Sequence, residues 1–378
     1  MGTQRWRGPC ALFLITGLIA TSALAAPVSA GPNDPRALRG TRYIVGRQGE
    51  NGSVPGFSKV GATADAMLAL SAARRSPKSV ARAIAYLRTK AEGLRSVGLM
   101  GKVVMAVVAA GRNPRSFGGR NLVLAIKRKR RDSGRYGGTD SRAAVLNHAL
   151  AMLGLAAVPE AVPLSSYEWL REARCPDRGW QYDAPSRSRD GFHCDDGSPG
   201  DVTRTDTNTT SYAVQALKAA LVSAPVRSKI QPAGFRASAS IAYFRSARDH
   251  VRGGWRYSHQ RSAFGSRAYT DANSTALVLQ AYAAVDKALP PNGRRALRGL
   301  AYGACGELTG AFAYTWMSIS GEFRRVPSRA EAAREDELGG PSVIGATVGA
   351  VLGLLGHPLP LDPARNGEPA PPRRRCGA

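Results

Sequence analysis

Acidic residues are scarce in this 378-residue chain, and so is lysine. Asp and Glu number 27 against 53 Lys and Arg, which gives a formal net charge of +26, and only nine of the basic residues are Lys. Such an excess favours anionic surroundings, such as phosphate-bearing surfaces or acidic polysaccharide, but it specifies no fold. Arg scattered over helix surfaces, with no particular partner, accounts for the charge equally well.

Long apolar runs are also missing, apart from one near the start. Arg5 and Arg7 precede "ALFLITGLIATSALAA", and small-x-small sites follow at "ALA" and "VSA". This order predicts a secretory signal peptide over residues 1–30, followed by a linker over 31–39. A membrane anchor is the alternative, but the run is short for a span. We therefore expect a secreted, extracellular or cell-envelope protein with no transmembrane segment after signal cleavage.

Cysteine is rare, and four cysteines remain once the signal peptide is removed. In exported proteins such residues are commonly oxidised. Cys175 and Cys194 enclose the polar loop "CPDRGWQYDAPSRSRDGFHC", which predicts a local disulfide; Cys305 with Cys376 is the weaker remaining pair. A metal site at His193 and Cys194 is an alternative, but the His and Cys spacing matches no zinc pattern. The sequence therefore predicts no metal and no cofactor.

Alternating patterns of apolar and polar residues, typical of strands, are nearly absent. The sequence contains a repeated segment instead. "TDTNTTSYAVQAL" begins at Thr205 and "TDANSTALVLQAY" begins at Thr270. Each is preceded by a Gly-Trp-x-Tyr stretch, "GWQY" or "GWRY". The aromatic residues of these stretches are Trp180, Tyr182, Trp255 and Tyr257. The repeated unit is therefore an aromatic stretch, a polar loop, Asp-x-Asn-x-Thr, and then a helix.

Weaker copies of the unit lie on either side. "GAFAYTW" places Phe312 and Tyr314 at the aromatic positions, and "GATADAMLAL" at Gly61 shares six of ten residues with "GATVGAVLGL" at Gly345. A fifth copy is "RYGGTDSRAAVLNHALAML", which includes His148 on an apolar helix. Helix starts near 61, 140, 206, 271 and 345 lie about 65 to 80 residues apart, which is long enough for two helices each.

The repeated helices are apolar nearly all round, so we expect them to be buried. Asp206 and Asp271 stand where N-caps belong, and Asn208 and Asn273 offer further acceptors to the first amides. Stretches such as "PKSVARAIAYLRTKAEGL" have one polar face and should lie outside. Because the first and last copies match, the row should close. We predict an all-α fold, an α/α toroid of ten to twelve helices.

This toroid is predicted over residues 40–359, as a closed ring of helical hairpins with parallel inner helices and an outer layer. The Pro- and Arg-rich tail, 360–378, is expected to be disordered. The repeat resembles the prenyltransferase and squalene-cyclase repeat of the α/α-toroid superfamily. In addition, "GKVVMAVVAAGRNPRSFGGRNLV" resembles the branch that contains secreted cobalamin carriers. The resemblance implies the fold but leaves function open, because the superfamily holds cyclases, prenyltransferases, thioester proteins and carriers.

This sequence differs from the motif of the terpene cyclases at the position of the proton donor. Class II terpene cyclases use the middle Asp of Asp-x-Asp-Asp-Thr, which matches "DTNTT" here and places Asn208 at that position, with Asn273 in the next copy. A carboxamide is not a strong acid, so we expect these Asn residues to cap helices and predict no catalytic residue. The thioester motif also fails, since "CGEL" at Cys305 lacks its Gln.

Parallel inner helices aim their partially positive ends at one rim, where the aromatic residues should gather. The predicted ligand-binding residues are Trp180, Tyr182, Asp206, Asn208, Trp255, Tyr257, Asp271, Asn273, Phe312 and Tyr314. The alternative is that these aromatics only pack loops onto the ring. His148 is expected to be a core or cavity histidine.

The function that these features favour is a secreted, non-catalytic binding protein for an amphipathic or anionic small molecule or a cell-envelope component. The alternative is a terpene-cyclase-like or prenyltransferase-like enzyme, which an acidic residue facing an apolar cavity floor would favour. An anionic surface is a further candidate partner. Nucleic acid is not expected as a partner, despite "KRKRR" at Lys127 to Arg131.

Overall fold

The computed structural model describes residues 34–139, 142–158, 160–188, 191–195, 205–229, 239, 241–259, 269–303, 305–319, 322–326 and 341–361. The predicted signal peptide and all but the first two residues of the predicted tail lie outside these ranges. Thirteen α-helices and three short antiparallel strand pairs lie within them. The prediction of a mostly helical fold is therefore confirmed.

Six helices form the inner layer. They are α2 (Lys59–Ala72), α4 (Val97–Ala109), α6 (Ala144–Ala156), α8 (Thr207–Ala220), α11 (Ala272–Ala284) and α13 (Pro341–Leu355). Each packs against the next in this order, and α13 packs against α2. The ring therefore closes between its first and last members, and the predicted α/α toroid is confirmed.

The outer layer connects the inner helices. It contains α1 (Pro35–Gly46), α3 (Pro77–Lys90), α5 (Leu122–Lys127), α7 (Leu164–Glu172), α10 (Tyr243–Ser246) and α12 (Pro291–Gly299). A four-residue helix, α9 (Ala224–Arg227), and a 3₁₀ turn (Pro114–Ser116) complete the connections. Helix α1 packs on α13, so the start of the described chain completes the last hairpin.

The count of five repeats was one short, because α4 is also an inner helix. It lacks the Asp-x-Asn-x-Thr start and is capped by Ser96, whose side chain accepts the Leu99 amide. Its composition follows from close packing: a Cβ atom on Gly101 would lie 2.1 Å from the carbonyl oxygen of Leu150 in α6. Small residues allow α4 and α6 to approach closely. These residues do not match the repeated motif, so a comparison of the repeats does not detect α4.

The caps predicted for α8 and α11 are confirmed. The Asp206 side chain accepts the Thr209 amide at 2.7 Å, and the Asp271 side chain accepts the Ser274 amide at the same distance. Both carboxyls therefore satisfy one of the first unpaired amides of their helix. An antiparallel strand pair in the loop before α8 aligns Asp206 with Trp180.

A second hydrogen bond recurs in four of the repeats and joins the inner helix to the loop before it. In three of them, a threonine in the first two turns of the inner helix accepts the backbone amide of the aromatic residue. The pairs are Trp180 to Thr210 at 2.9 Å, Trp255 to Thr275 at 3.0 Å and Phe312 to Thr347 at 2.9 Å. In the first copy, Val54 donates to Thr63 at 2.9 Å. This bond fixes where each loop enters the ring.

His148 takes the place of that threonine in α6. Its Nδ1 accepts the Tyr136 amide at 2.9 Å, and its Nε2 lies 3.0 Å from the Ser166 carbonyl oxygen. Burial lowers the pKa of His148 to about 3, against a weaker opposing effect of the Ser166 carbonyl. The side chain is therefore a neutral core histidine with a structural role.

The strands lie in the loops before α8 and α13. They are β1 (Trp180–Gln181) with β4 (Thr205–Asp206), β2 (Ser186–Ser188) with β3 (Gly191–His193), and β5 (Thr315–Ile319) with β6 (Glu322–Val326). The predicted disulfide between Cys175 and Cys194 is present and closes the loop that holds β1 to β3. The predicted partner of Cys305, Cys376, lies outside the described residues.

Candidate active site

A cavity of about 410 Å³ lies inside the ring of inner helices. Its volume lies in the range that small-molecule sites usually have. The aliphatic part of the wall consists of Leu68, Leu146, Leu277, Ile344, Val348, Leu352 and Leu359. Leu359 follows α13, and its amide donates to the Gln215 side chain in α8 at 2.8 Å. The chain thus passes across the inside of the ring and contributes to an apolar floor.

Five of the predicted ligand-binding residues line this cavity. They are Tyr182, Asp206, Asn208, Tyr257 and Asn273. Each belongs to a loop or a first helical turn at one end of the ring. The N-termini of the inner helices thus meet at the same rim, as the repeat predicts.

The aromatic residues that begin each repeat lie elsewhere. Trp180, Trp255 and Phe312 are almost fully buried, and none of them lines the cavity. The indole Nε1 of Trp180 donates to the Leu170 carbonyl at 2.7 Å, and that of Trp255 donates to the Phe244 carbonyl at 2.7 Å. The two indoles therefore join an inner-helix loop to an outer helix, as buried tryptophans commonly do when their N–H needs a partner.

Asp206 combines burial with access to the cavity. Its side chain is 1% exposed, and one carboxyl oxygen, Oδ1, accepts the Thr209 amide. The other oxygen, Oδ2, is buried and has no hydrogen-bond partner among the described residues. Burial raises the pKa of Asp206 to about 7, although bonds from Thr209 and Asn208 oppose the shift. The carboxyl therefore exists in both protonation states near neutral pH.

Two tyrosines stand beside this carboxyl. Burial first, and then the charge of Asp206, raise the pKa of Tyr257; the pKa of Tyr182 is raised by burial and by the charges of Asp183 and Asp206. Both phenols therefore remain protonated at neutral pH. The Tyr257 carbonyl also accepts the Thr207 amide at 2.7 Å, which holds this residue of the next repeat over the start of α8.

The two asparagines connect neighbouring helices instead of capping their own. The Asn208 Oδ1 accepts the Ser274 hydroxyl of α11 at 2.9 Å. Asn273 lies against Gly349 of α13, where an added Cβ atom would come within 2.9 Å of its Oδ1. The expectation of a capping role for these side chains is wrong, because Asp206 and Asp271 already occupy the caps.

Asp271 and Tyr314 lie near the rim but do not line the cavity. Burial raises the pKa of Asp271 to about 7, as it does for Asp206. The charge of Asp271, and then burial, raise the pKa of Tyr314. The backbone of Thr315 forms a β-bridge with that of Asp271, so the β5–β6 hairpin begins beside this residue.

Sequence reasoning missed an ion pair inside the cavity. Lys102 of α4 lies 2.7 Å from Asp65 of α2, and both line the wall together with Tyr212 of α8. Burial alone would lower the pKa of Lys102, but the charge of Asp65 and the hydrogen bond to it outweigh burial and raise that pKa. The signal was visible as a single charged residue in each of two otherwise apolar stretches, "GATADAMLAL" and "GKVVMAVVAAG".

No group of three or more His, Cys, Asp or Glu side chains able to hold a metal ion occurs in the described ranges. Nor does any helix in this part of the chain combine the length and the apolar character that crossing a bilayer requires.

Several solved structures are similar to this chain across most of its length. An aspartate-to-asparagine variant of the type II terpene cyclase MstE from Scytonema, in complex with its substrate geranylgeranyl dihydroxybenzoate, has a TM-score of 0.53 at 11% identity, covering 86% of this chain and 97% of that one. An unsaturated glucuronyl hydrolase from a Bacillus species, responsible for glycosaminoglycan degradation, has a TM-score of 0.54 at 13% identity, covering 85% and 94%.

An inactive α-1,6-mannanase of Salegentibacter in complex with α-1,6-mannotriose has a TM-score of 0.51 at 10% identity, covering 85% of this chain and 98% of that one. No family model and no curated protein matches the sequence. The chain therefore has an α/α-toroid fold that terpene cyclases and glycoside hydrolases share, and identities this low extend to the fold alone.

Proposed function

We propose that this protein is an enzyme in which Asp206 acts as a general acid towards an oxygen-bearing, largely apolar substrate, such as an isoprenoid alcohol or epoxide. The observation that carries the proposal is the Asp206 carboxyl, which is buried, lines the cavity and leaves its Oδ2 without a hydrogen-bond partner among the described residues. A pKa of about 7 suits general acid catalysis at neutral pH.

The same pKa argues for protonation of an oxygen. An isolated alkene is a very weak base and needs a stronger acid than a carboxyl with a raised pKa. A hydroxyl or epoxide oxygen is far more basic, and its protonation allows a C–O bond to break. Tyr182 and Tyr257 beside Asp206 offer electron-rich ring faces to the positive charge that develops on carbon.

The wall of the cavity favours an isoprenoid over a sugar. Seven aliphatic side chains line the cavity, and most of its surface is apolar. A carbohydrate would lose its bonds to water there without finding partners for most of its hydroxyl groups, which is costly. An isoprenoid would gain by transferring its apolar surface out of water.

An oxidising compartment is the proposed location. The Cys175–Cys194 disulfide supports it, since such bonds persist mainly in exported proteins. The predicted signal peptide agrees with this location, but it lies outside the described residues.

The test is turnover with and without the Asp206 carboxyl. Purified protein is incubated with farnesol, geranylgeraniol and their terminal epoxides, and products are identified by gas chromatography and mass spectrometry. Asp206→Asn keeps the shape and the cap but has no acidic proton, so we expect its turnover to fall by about 10² to 10⁴-fold. Asp271→Asn, in the matching position of the next repeat, should retain near wild-type turnover.

A carrier is the competing function, and the carboxamides Asn208 and Asn273 in the cavity wall favour it. The same experiment separates the two. Tight binding of these compounds without any product, in wild-type protein as in Asp206→Asn, would establish a carrier and overturn the proposed activity.

A further inference from the structure

The Asp65–Lys102 pair places two charged side chains in a cavity wall that is largely apolar beyond its rim. Both residues belong to inner helices, and their side chains are only 32% and 21% exposed. An ion pair in such a place is rarely the most stable choice, because the loss of hydration offsets much of the attraction. Two well-packed apolar residues would stabilise the folded ring at least as well. The presence of the ion pair therefore indicates a role other than stability.

The Lys102 ammonium retains donors that can face a ligand. An ammonium has three N–H groups. One meets the Asp65 carboxylate at 2.7 Å, and no other hydrogen bond to Lys102 occurs within the described ranges. Asp65 keeps Lys102 charged and fixes its direction, and the Tyr212 ring stands beside both along the wall.

The depth of this ion pair relative to Asp206 follows from helix geometry. Tyr212 lies six residues along α8 from Asp206, which at 1.5 Å per residue corresponds to about 9 Å. Lys102 and Asp65 lie at similar positions along α4 and α2. Asp206 therefore stands at the rim, and the ion pair lies about one and a half turns deeper.

We infer that Lys102, oriented by Asp65, binds an acceptor oxygen at the deep end of the ligand, as a subsite for the terminal hydroxyl or carboxylate of a linear apolar molecule. The inference deepens the proposed function, since it makes the substrate amphipathic with its polar end inside, but it concerns binding and requires no turnover. Asp65 and Lys102 together have no net charge, so a neutral hydroxyl can bind beside them without changing the charge of the site. A carboxylate would bind the same ammonium group as Asp65.

The test measures the binding of 1-octanol and of octanoate by isothermal titration calorimetry. Lys102→Met preserves the length and apolar stem of the side chain but removes every donor. We expect wild-type protein to bind at least one of the two probes and Lys102→Met to bind it at least tenfold more weakly. A larger loss for octanoate than for octanol identifies a carboxylate subsite, and the reverse identifies a hydroxyl subsite.

Two controls keep the result interpretable. Lys218→Met removes a lysine of α8 that pairs with Asp286 at 2.9 Å on the surface, and it should bind like wild type. Lys102→Met leaves Asp65 unpaired and could fail to fold for that reason. In that case the double variant Asp65→Leu/Lys102→Met, which has no charged side chain at this place, is measured instead. The measurement requires no turnover, so a failure of the proposed catalysis leaves it intact.

Two outcomes would overturn the inference. The first is unchanged affinity for both probes in Lys102→Met or in the double variant. The second is an absence of binding to wild-type protein at probe concentrations up to the solubility limit.

Discussion

The segments 180–220 and 255–284 are two copies of one structural unit, and they differ in what their capping carboxyl faces. In both, an aspartate caps the inner helix, and a tyrosine of the following repeat accepts the first helical amide through its carbonyl: Tyr257 from Thr207, and Tyr314 from Ala272. In both, burial raises the pKa of the aspartate to about 7. Only Asp206 lines the cavity.

The two copies show that burial at the helix cap is enough to raise the pKa of the aspartate. A role in chemistry requires in addition that the carboxyl line the cavity. Any aspartate placed at this cap, under a tyrosine and inside the ring, would have its pKa raised by burial. In the second copy the start of the β5–β6 hairpin lies beside the cap, because Thr315 forms a β-bridge with Asp271. A perturbed pKa alone would therefore have pointed to two sites, although only Asp206 is among the residues that line the cavity described above.

Removing the two indoles should produce the largest effect on stability, and nearly the same effect in both copies. Trp180→Ala and Trp255→Ala each delete a buried ring and leave an outer-helix carbonyl without its indole partner. We expect each to lower the free energy of unfolding by about 5 kcal/mol, measured by urea denaturation at pH 7. A small effect of Trp180→Ala combined with weaker binding of octanol would instead assign Trp180 to the ligand, as the sequence predicted.

The repeat in the sequence predicts the closed ring but not the different environments of Trp180 and Tyr182. The repeat revealed the closed ring, because "GATADAMLAL" and "GATVGAVLGL" lie on α2 and α13, which pack together. It could not separate Trp180 from Tyr182, since both stand at repeated positions before the same helix. Their environments differ because the indole N–H finds a carbonyl on the outer helix, and no local pattern specifies that contact.

The ion pair and the sixth inner helix were missed for a related reason. Lys102 and Asp65 are 37 residues apart in sequence, and only the neighbouring positions of α2 and α4 in the ring bring them together. Helix α4 is recognisable by its small residues, but those residues reflect its approach to α6 at Gly101 and Gly154. A search by repeat detects what copies share, so it overlooks the features that make one copy different.

The pH dependence of stability should be the next largest effect, and it should again be equal in the two copies. An aspartate with a pKa of about 7 in the folded protein and about 3.9 in the unfolded chain binds a proton more tightly when folded. The stability from this difference is fully present below about pH 4 and is lost as pH rises through 7. Over that range each carboxyl accounts for about 4 kcal/mol.

Asp206→Asn and Asp271→Asn remove this dependence, because the amide does not titrate and caps a helix about as well. Each variant should therefore exceed wild type in stability by up to about 4 kcal/mol at pH 8 and match it at pH 4. Urea denaturation at both pH values measures the difference. Ligand in the cavity should alter the result for Asp206→Asn only, which would sharpen the contrast between the two copies. A pH-independent difference in either variant would refute the raised pKa.

The smallest effect should come from the threonines that accept the tryptophan amides. Thr210→Val and Thr275→Val keep the shape of the side chain but leave the buried amide of Trp180 or Trp255 without its acceptor, at a cost of about 1 to 3 kcal/mol each. Thr89→Val is a matched control, because the Thr89 hydroxyl donates to a carbonyl of its own helix and the residue is exposed; we expect a change within about 0.5 kcal/mol. The midpoint and slope of urea unfolding measure all three. If Thr210→Val and Thr275→Val differed as much from each other as from wild type, the shared bond would not stabilise both copies in the same way. The two segments would then be alike in shape but not in the forces that hold them.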